Sequence, residues 1–304
     1  MSTPPLTDRT VLVTGGAGFI GSHIAETLAP DNDVRVVDDL STGKRENVPD
    51  QAAFVEGDVR DDDVLARAMA GVDLVFHEAA LVSVVRSVER PALSHAINAT
   101  ATMRLLERAR EEDARVVLAS SSAIYGHPDE VPIPESASTA PTSPYGVDKL
   151  AVDHYARVYA DLYDLPVVAL RYFNTYGPRQ TAGDYSGVIS TFLEQARADE
   201  PMTVEGDGEQ TRDFVHVSDV VQANLLAATT DHVGEAFNVG TGSSVTIREL
   251  AERIRTVTDS SSEIVHVEPR QGDIRHSRAD VGKAREKLGF EPTVSLTDGL
   301  SALP

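Results

Sequence analysis

Cysteine and tryptophan are absent from this 304-residue chain, and lysine occurs only at Lys44, Lys149, Lys283 and Lys287. Without cysteine there can be no disulfide framework, no thiolate metal site and no cysteine nucleophile. No apolar run approaches the ~20 residues of a membrane-spanning helix, so no membrane partner is expected. The opening stretch from Met1 to Thr10 lacks the apolar core of a secretory signal, which makes the cytoplasm the expected location. Positive charge is scarce: 27 Lys and Arg face 48 Asp and Glu, for a formal net charge of −21. A nucleic-acid groove needs a basic face, so nucleic acid is not an expected partner either. An acidic, lysine-poor surface resembles that of halophilic proteins, adapted to salt that screens close charges. Any anionic ligand has to be met by locally placed arginines rather than by the overall field. His77, His127 and His216 show no close ligand spacing, so no metal is expected and His216 reads as structural.

What is present is a regular alternation. Short β-rich runs at 11–14, 34–38, 53–56, 74–77, 116–120 and 167–171 read as buried parallel strands. Helical patterns at 21–28, 64–70, 97–110 and 144–163 lie between them, which predicts an α/β fold of the Rossmann type, a doubly wound parallel sheet. Beyond about Asn174 the loops lengthen, with helices predicted over 188–198 and 218–228. Thr246 and Asp280 are suitable N-caps for later helices. Residues 236–239 read as a strand returning to the main sheet.

The segment Thr14-Gly15-Gly16-Ala17-Gly18-Phe19-Ile20-Gly21 follows a predicted strand and opens a predicted helix. In that context Gly15 permits a tight turn, Gly18 lets backbone approach a diphosphate, and Gly21 lets the helix pack on the strand. The anion then meets free N–H groups and the positive end of the helix dipole. Asp38 ends the second strand, about twenty residues after Gly18, where a carboxylate binds adenosine ribose hydroxyls and repels a 2′-phosphate. NAD is therefore expected over NADP. Asp58 is either a contact to the adenine edge or a turn and cap residue.

Together with Asp38-Asp39-Leu40-Ser41-Thr42-Gly43 and His77-Glu78-Ala79-Ala80, the Gly-x-x-Gly-x-x-Gly spacing resembles the extended short-chain dehydrogenase/reductase family over nearly the whole chain. The resemblance implies an NAD site lined by Phe19, Ile20, Asp38, Asp39, Leu40, Ser41, Thr42, Gly43, Asp58, Val59, Ala79, Ala80, Asn98 and Phe173. It implies an NAD-binding domain over 1–174 and a smaller lobe, mainly for substrate, over 175–304.

Tyr145 and Lys149 stand four apart, on one face of a predicted helix. A phenol ionises near pH 10, too high for a base at neutral pH, and a nearby cation assisted by the positive nicotinamide is expected to lower that value. Tyr145 then takes a proton from a sugar hydroxyl, while Lys149 also bonds the nicotinamide ribose. Ser120, Ser121 and Ser122 end the fifth strand and face the same cleft. Counting back four from Tyr125, as in the family pattern, selects Ser121 as the catalytic serine, with Ser122 as its deputy. A serine-hydrolase reading fails, because the segment lacks a Gly-x-Ser-x-Gly elbow.

Within the family, members that dehydrate or decarboxylate sugars carry an acid where this chain has Ser122 and Ala123. The motifs Ser121-Ser122-Ala123-Ile124-Tyr125-Gly126, Arg171-Tyr172-Phe173-Asn174 and Arg212-Asp213-Phe214 resemble the UDP-glucose 4-epimerases and their UDP-N-acetylhexosamine relatives. Val82 departs from them, replacing a lysine that some carry near the cofactor. The resemblance implies a UDP-sugar substrate, with Asn174, Arg212 and Arg270 on the diphosphate. It places Thr203, Val204 and Glu205 on uracil by backbone, Asp273 on the uridine ribose, and Ser277 facing the hexose 2-substituent. It implies a homodimer built on helices 97–110 and 144–163. Other nucleotide-sugar activities of the scaffold (dehydratase, decarboxylase, reductase) and a non-catalytic NAD-sensing module are the alternatives.

Overall fold

Successive side chains of a strand face opposite ways, so a strand buried on both faces must be apolar throughout. The central strands of this chain meet that condition. The computed structural model describes residues 6–180, 187–269 and 272–303. In β1 (Thr10–Thr14) Val11 and Val13 enter one core and Leu12 the opposite one. The same division holds in β2 (Asp33–Asp38), β4 (Leu74–His77), β5 (Arg115–Ser121) and β6 (Val167–Tyr172), with β3 (Ala53–Glu56) beside β2. β11 (Ala236–Val239) pairs with β6, in register from Ala236 to Ala169. The result is a seven-stranded parallel sheet in the order β11-β6-β5-β4-β1-β2-β3.

On one face lie α1 (Phe19–Leu28), α8 (Val217–Ala227) and α10 (Gly282–Leu288); on the other lie α2 (Asp62–Met69), α5 (Ala101–Glu111) and α6 (Pro144–Tyr163). Strand order reverses between β1 and β4, and the crevice that opens at such a reversal is the ligand site of doubly wound sheets. The α6 helix is framed by its own sequence: Ser143 accepts from Gly146 N at 3.1 Å, Pro144 takes the first turn, and Asp164 closes it at φ +54.

Two short helices, α3 (Val84–Glu89) and α4 (Pro91–His95), run into a π-helical turn at Ala96–Thr100 ahead of α5. None of these was legible as a separate element, since six residues are too few to display a helical period. A separate apolar core gathers α7 (Val188–Arg197), α9 (Ile247–Val257), α11 (Leu296–Ser301) and β8 (Met202–Glu205), which pairs with β13 (Ile264–Val267). Two further small ladders are β7 (Asn174–Tyr176) with β10 (Phe214–His216), and β9 (Thr211–Arg212) with β12 (Val245–Thr246). Thr246 caps α9 through a capping box with Glu249, as predicted. Asp280 is not the residue at the head of α10. That position is Val281, and Asp280 instead accepts from Gly282 N at 2.8 Å. No helix among the described residues is long and apolar enough to cross a membrane.

Candidate active site

A cleft of about 1180 Å³ opens over the carboxyl ends of β1, β4 and β5. At its floor Gly15 takes φ +66, and a Cβ there would stand 2.7 Å from the Ala79 nitrogen. A Cβ on Gly21 would press into the Gly15 carbonyl oxygen, so both positions require glycine. α1 starts with Gly18 as N-cap and no side-chain cap, which leaves its first N–H groups to an external anion. Asp38 is 8 % exposed, with Oδ2 accepting from Ala17 N at 3.0 Å and Oδ1 from Leu40 N at 2.8 Å. Burial raises its carboxyl above the ordinary range, and these bonds pull it back. Asp58 is gripped by Arg60 through both its oxygens, which holds that carboxyl below its usual range. A glycine cradle, an uncapped helix start and a carboxylate at the end of β2 together fit a dinucleotide.

Phe19, Ile20, Asp39, Ser41, Thr42, Val59, Ala79, Ala80 and Phe173 line the cleft. Three residues expected beside them act differently. Leu40 takes φ +57 and packs into the core under the sheet. Gly43 abuts Ala17 and Asp38. Asn98 is 2 % exposed, its amide bonded on both sides to Leu81 (Oδ1 from N at 2.8 Å, Nδ2 to O at 3.1 Å). These three support the wall from behind.

At the far end of the cleft the structure separates the three serines. Ser120 lines the cleft too, but its hydroxyl donates to the buried Asp153 at 3.3 Å. Ser121 lies on the wall, its hydroxyl near enough to the Tyr145 phenol to favour ionisation there, while its Oγ accepts from Ala123 N at 3.2 Å. Ser122 opens a 3-10 turn and is not among the described lining residues. One turn along α6 from Tyr145, Lys149 is 5 % exposed; its Nζ donates to Ala119 O at 2.7 Å and stands 5.9 Å from the Tyr145 ring centroid. Burial pushes the Lys149 ammonium down to about 8, opposed by the charges of Glu78 and Asp148. Tyr145 differs from its sequence expectation. Burial, with the Glu78 charge added, raises the phenol above its ordinary value, and only the Ser121 hydroxyl lowers it. Lys149 in the protein alone does not reverse that balance.

Glu78 is a cleft residue that sequence reasoning passed over, quoting it only inside a motif. Its Oε1 accepts from Tyr172 OH at 2.8 Å, and burial pushes its carboxyl up to about 7. An acid immediately after an apolar buried strand was the available signal. Its neighbour His77 is a latch, bonded to Thr14 Oγ1 at 2.7 Å and Thr102 Oγ1 at 2.8 Å. Burial, then Lys149, lowers its imidazole to about 3, so it stays neutral.

Of the residues expected at the substrate end, Asn174, Thr203, Glu205, Arg212 and Asp273 line the same cleft. Arg212 Nη2 bonds Asp273 Oδ1 at 2.6 Å, which brings the two expected uridine-diphosphate contacts together as an ion pair. The segment 203–205, expected to read a base by backbone, is held by its own contacts. Thr203 N donates to Gln195 Oε1 at 3.0 Å, Glu205 O accepts from Gln210 Nε2 at 2.8 Å, and the Val204 side chain is wholly buried in the smaller core. Ser277 is held close to its neighbours. It is 6 % exposed, donates its N–H to Thr211 O at 3.1 Å, and lies off the wall formed by the described residues. Arg270 lies outside the described residues. No group of three or more His, Asp or Glu among the described residues is arranged to hold a metal.

The chain belongs to the NAD dependent epimerase/dehydratase family, whose model matches residues 11–240. It is 40 % identical over 299 residues to the UDP-glucose 4-epimerase of Mycolicibacterium smegmatis, covering 95 % of this chain and 96 % of that one. Among solved structures it resembles the UDP-glucose 4-epimerase of Thermotoga maritima with UDP-glucose (TM-score 0.93, 41 % identity, 96 % of both chains). It is equally similar in fold to the UDP-N-acetylglucosamine 4-epimerase of Methanobrevibacter ruminantium in complex with UDP-N-acetylmuramic acid (TM-score 0.94, 38 % identity, 97 % of both chains).

Proposed function

We propose that this chain is an NAD-dependent 4-epimerase of UDP-hexoses, interconverting UDP-glucose and UDP-galactose through a transient 4-keto sugar. One observation carries the reading: Ser121, Tyr145 and Lys149 line one cleft that also contains the Arg212–Asp273 pair. Tyr145 accepts the proton of the 4-hydroxyl and later returns it, with Ser121 bridging the sugar oxygen and the phenol. NAD, when bound, supplies the hydride chemistry at that same carbon. Asn174 and Arg212 hold the diphosphate, and a guanidinium fork suits that anion. Held only there, the hexose turns about its tether and offers its other face, while the anchors supply proximity. At Ser122 and Ala123 there is no acid to help expel a 6-hydroxyl or a carboxylate, which disfavours the dehydratase and decarboxylase readings. Product analysis by NMR on a panel of UDP-hexoses and their N-acetyl forms tests the proposal. Interconversion of a C4 pair supports it; 4-keto-6-deoxy or decarboxylated products would replace it.

On this reading residues 1–174 with β11 hold the dinucleotide, and 175–304 mainly hold the nucleotide sugar. NAD should bind far more tightly than NADP to stripped protein at matched salt, because Asp38, at the end of β2, opposes a 2′-phosphate. Equal affinities would show that Asp38 does not face the ribose.

The exposed stripe Val147, Tyr155, Val158 and Leu162 along α6 fits a homodimer packed through that helix. Light scattering should report twice the chain mass; a monomer at working concentration would contradict it. The charge of −21 supports a halophilic protein, so melting temperature should rise from dilute buffer toward ~1 M KCl, where the Debye length is about 3 Å. A flat or falling trend would remove that reading.

A further inference from the structure

The mechanism above leaves Glu78, an acid on the wall beside Tyr145 and Lys149, without a task. Glu78 directly follows β4 and shares the cleft wall with Ser121, Tyr145, Lys149 and Tyr172. Its carboxylate is fixed from the opposite face of the sheet: Tyr172 OH donates to Oε1 at 2.8 Å and itself accepts from Asn224 Nδ2 on α8 at 2.8 Å. Two groups of the reacting end feel its charge. The Lys149 ammonium attracts it, and the Tyr145 phenol is made harder to ionise by it. A carboxylate that opposes ionisation of the proposed proton acceptor is not there to help proton transfer, so its presence needs another explanation.

The oxidised and reduced forms of a nicotinamide differ by one positive charge on the ring. A lone Lys149 at the reacting end would disfavour the cationic, oxidised form, and a fixed carboxylate in the same partly desolvated cleft opposes that effect. We propose that Glu78 is a charge-balancing residue that offsets Lys149 and keeps the bound dinucleotide in its oxidised form. This rests on the reading of Tyr145 and Lys149 as the reacting end, and is independent of which sugar is turned over.

The test uses the full-length protein stripped of dinucleotide, with affinities for NAD⁺ and NADH measured by calorimetry at about pH 7.5, above the value near 7 to which burial moves the Glu78 carboxyl and below that near 8 to which it moves the Lys149 ammonium. Glu78→Gln keeps the size and can still accept from Tyr172. It should move the ratio of the two affinities toward NADH by roughly tenfold or more, the effect of removing one unit charge at short range. Glu78→Asp keeps the charge and should stay within about threefold of the wild-type ratio, whereas Lys149→Met should move the ratio the opposite way. The Lys149 variant carries the test if the glutamine variant does not fold. A folded Glu78→Gln protein with its ratio within about twofold of wild type would overturn the proposal. So would an aspartate variant that shifts as far as the glutamine variant, or a Lys149→Met protein that shifts toward NADH. If dinucleotide affinities follow this pattern but no UDP-sugar is epimerised, it is the functional reading that fails, not this one.

Discussion

Tyr145→Phe is expected to keep the fold and the dinucleotide while losing roughly 10²- to 10⁴-fold in turnover, the usual worth of a positioned proton acceptor. The substitution removes one oxygen, near the Ser121 hydroxyl, and leaves the ring where it stands beside Lys149. The backbone anchor of Tyr145, its N–H donating to Ser87 Oγ at 3.2 Å, is untouched. The KM for UDP-sugar should change little, since Asn174 and Arg212 at the other end of the cleft supply the binding. In the protein alone the phenol lies above its ordinary pKa, so ionisation depends on the charge that arrives with the cofactor. Near-normal turnover by a mutant with intact dinucleotide would remove Tyr145 from the mechanism.

The second large effect is on stability. Asp153 lies on α6 one turn beyond Lys149, fully buried, and accepts from Arg171 Nε at 2.8 Å and Nη2 at 2.9 Å, from Arg157 Nη2 at 2.6 Å and from Ser120 Oγ at 3.3 Å. Arg171 is 1 % exposed; its remaining bonds go to Tyr125 OH at 2.8 Å and Glu135 O at 2.9 Å, neither of them a counter-charge at its fork. Asp153→Ala strands a buried guanidinium, at a cost of about 3–5 kcal/mol. For a chain of this size that lowers the melting temperature by roughly 5–8 °C. Because the same carboxylate ties α6 to the ends of β5 and β6, kcat should fall even where the protein remains folded. Denaturation within about 1 kcal/mol of wild type would show that the surroundings relax around the unpaired arginine.

Much of the sheet was legible because each central strand is short, apolar on both faces and followed by a helix-start signal; β1 running into Gly15–Gly21 is the plainest case. The α6 boundaries were legible to the residue, since Ser143, Pro144 and Asp164 are local signals that act through backbone geometry alone. What escaped was set by tertiary context. The two- and three-residue strands β7, β9, β10 and β12 are too short to show a period. Whether Ser120, Ser121 or Ser122 faces Tyr145 depends on the strand's pleat at its last residues, where Ser120 turns to Asp153 instead. Asn98 and Ser277 were read as facing ligand; that Asn98 bonds Leu81 on both sides and that Ser277 N–H donates to Thr211 O was not legible. A polar side chain's nearest partner is a matter of three dimensions, and the motif records only that a polar residue is required. Glu78 is the converse: an acid inside a familiar motif, whose closeness to Lys149 shows only once β4 and α6 are assembled.

The central claim is that oxidation and re-reduction occur at one carbon of the hexose with the hydride returned by the same protein molecule. UDP-galactose carrying deuterium at C4 should be incubated with the purified protein, without added NAD, and the products read by NMR. The account predicts UDP-glucose with deuterium retained at C4, no label gained from solvent at any carbon, and no net change in nicotinamide absorbance. Loss of the C4 label to solvent, or solvent hydrogen entering at C5 or C6, would contradict it.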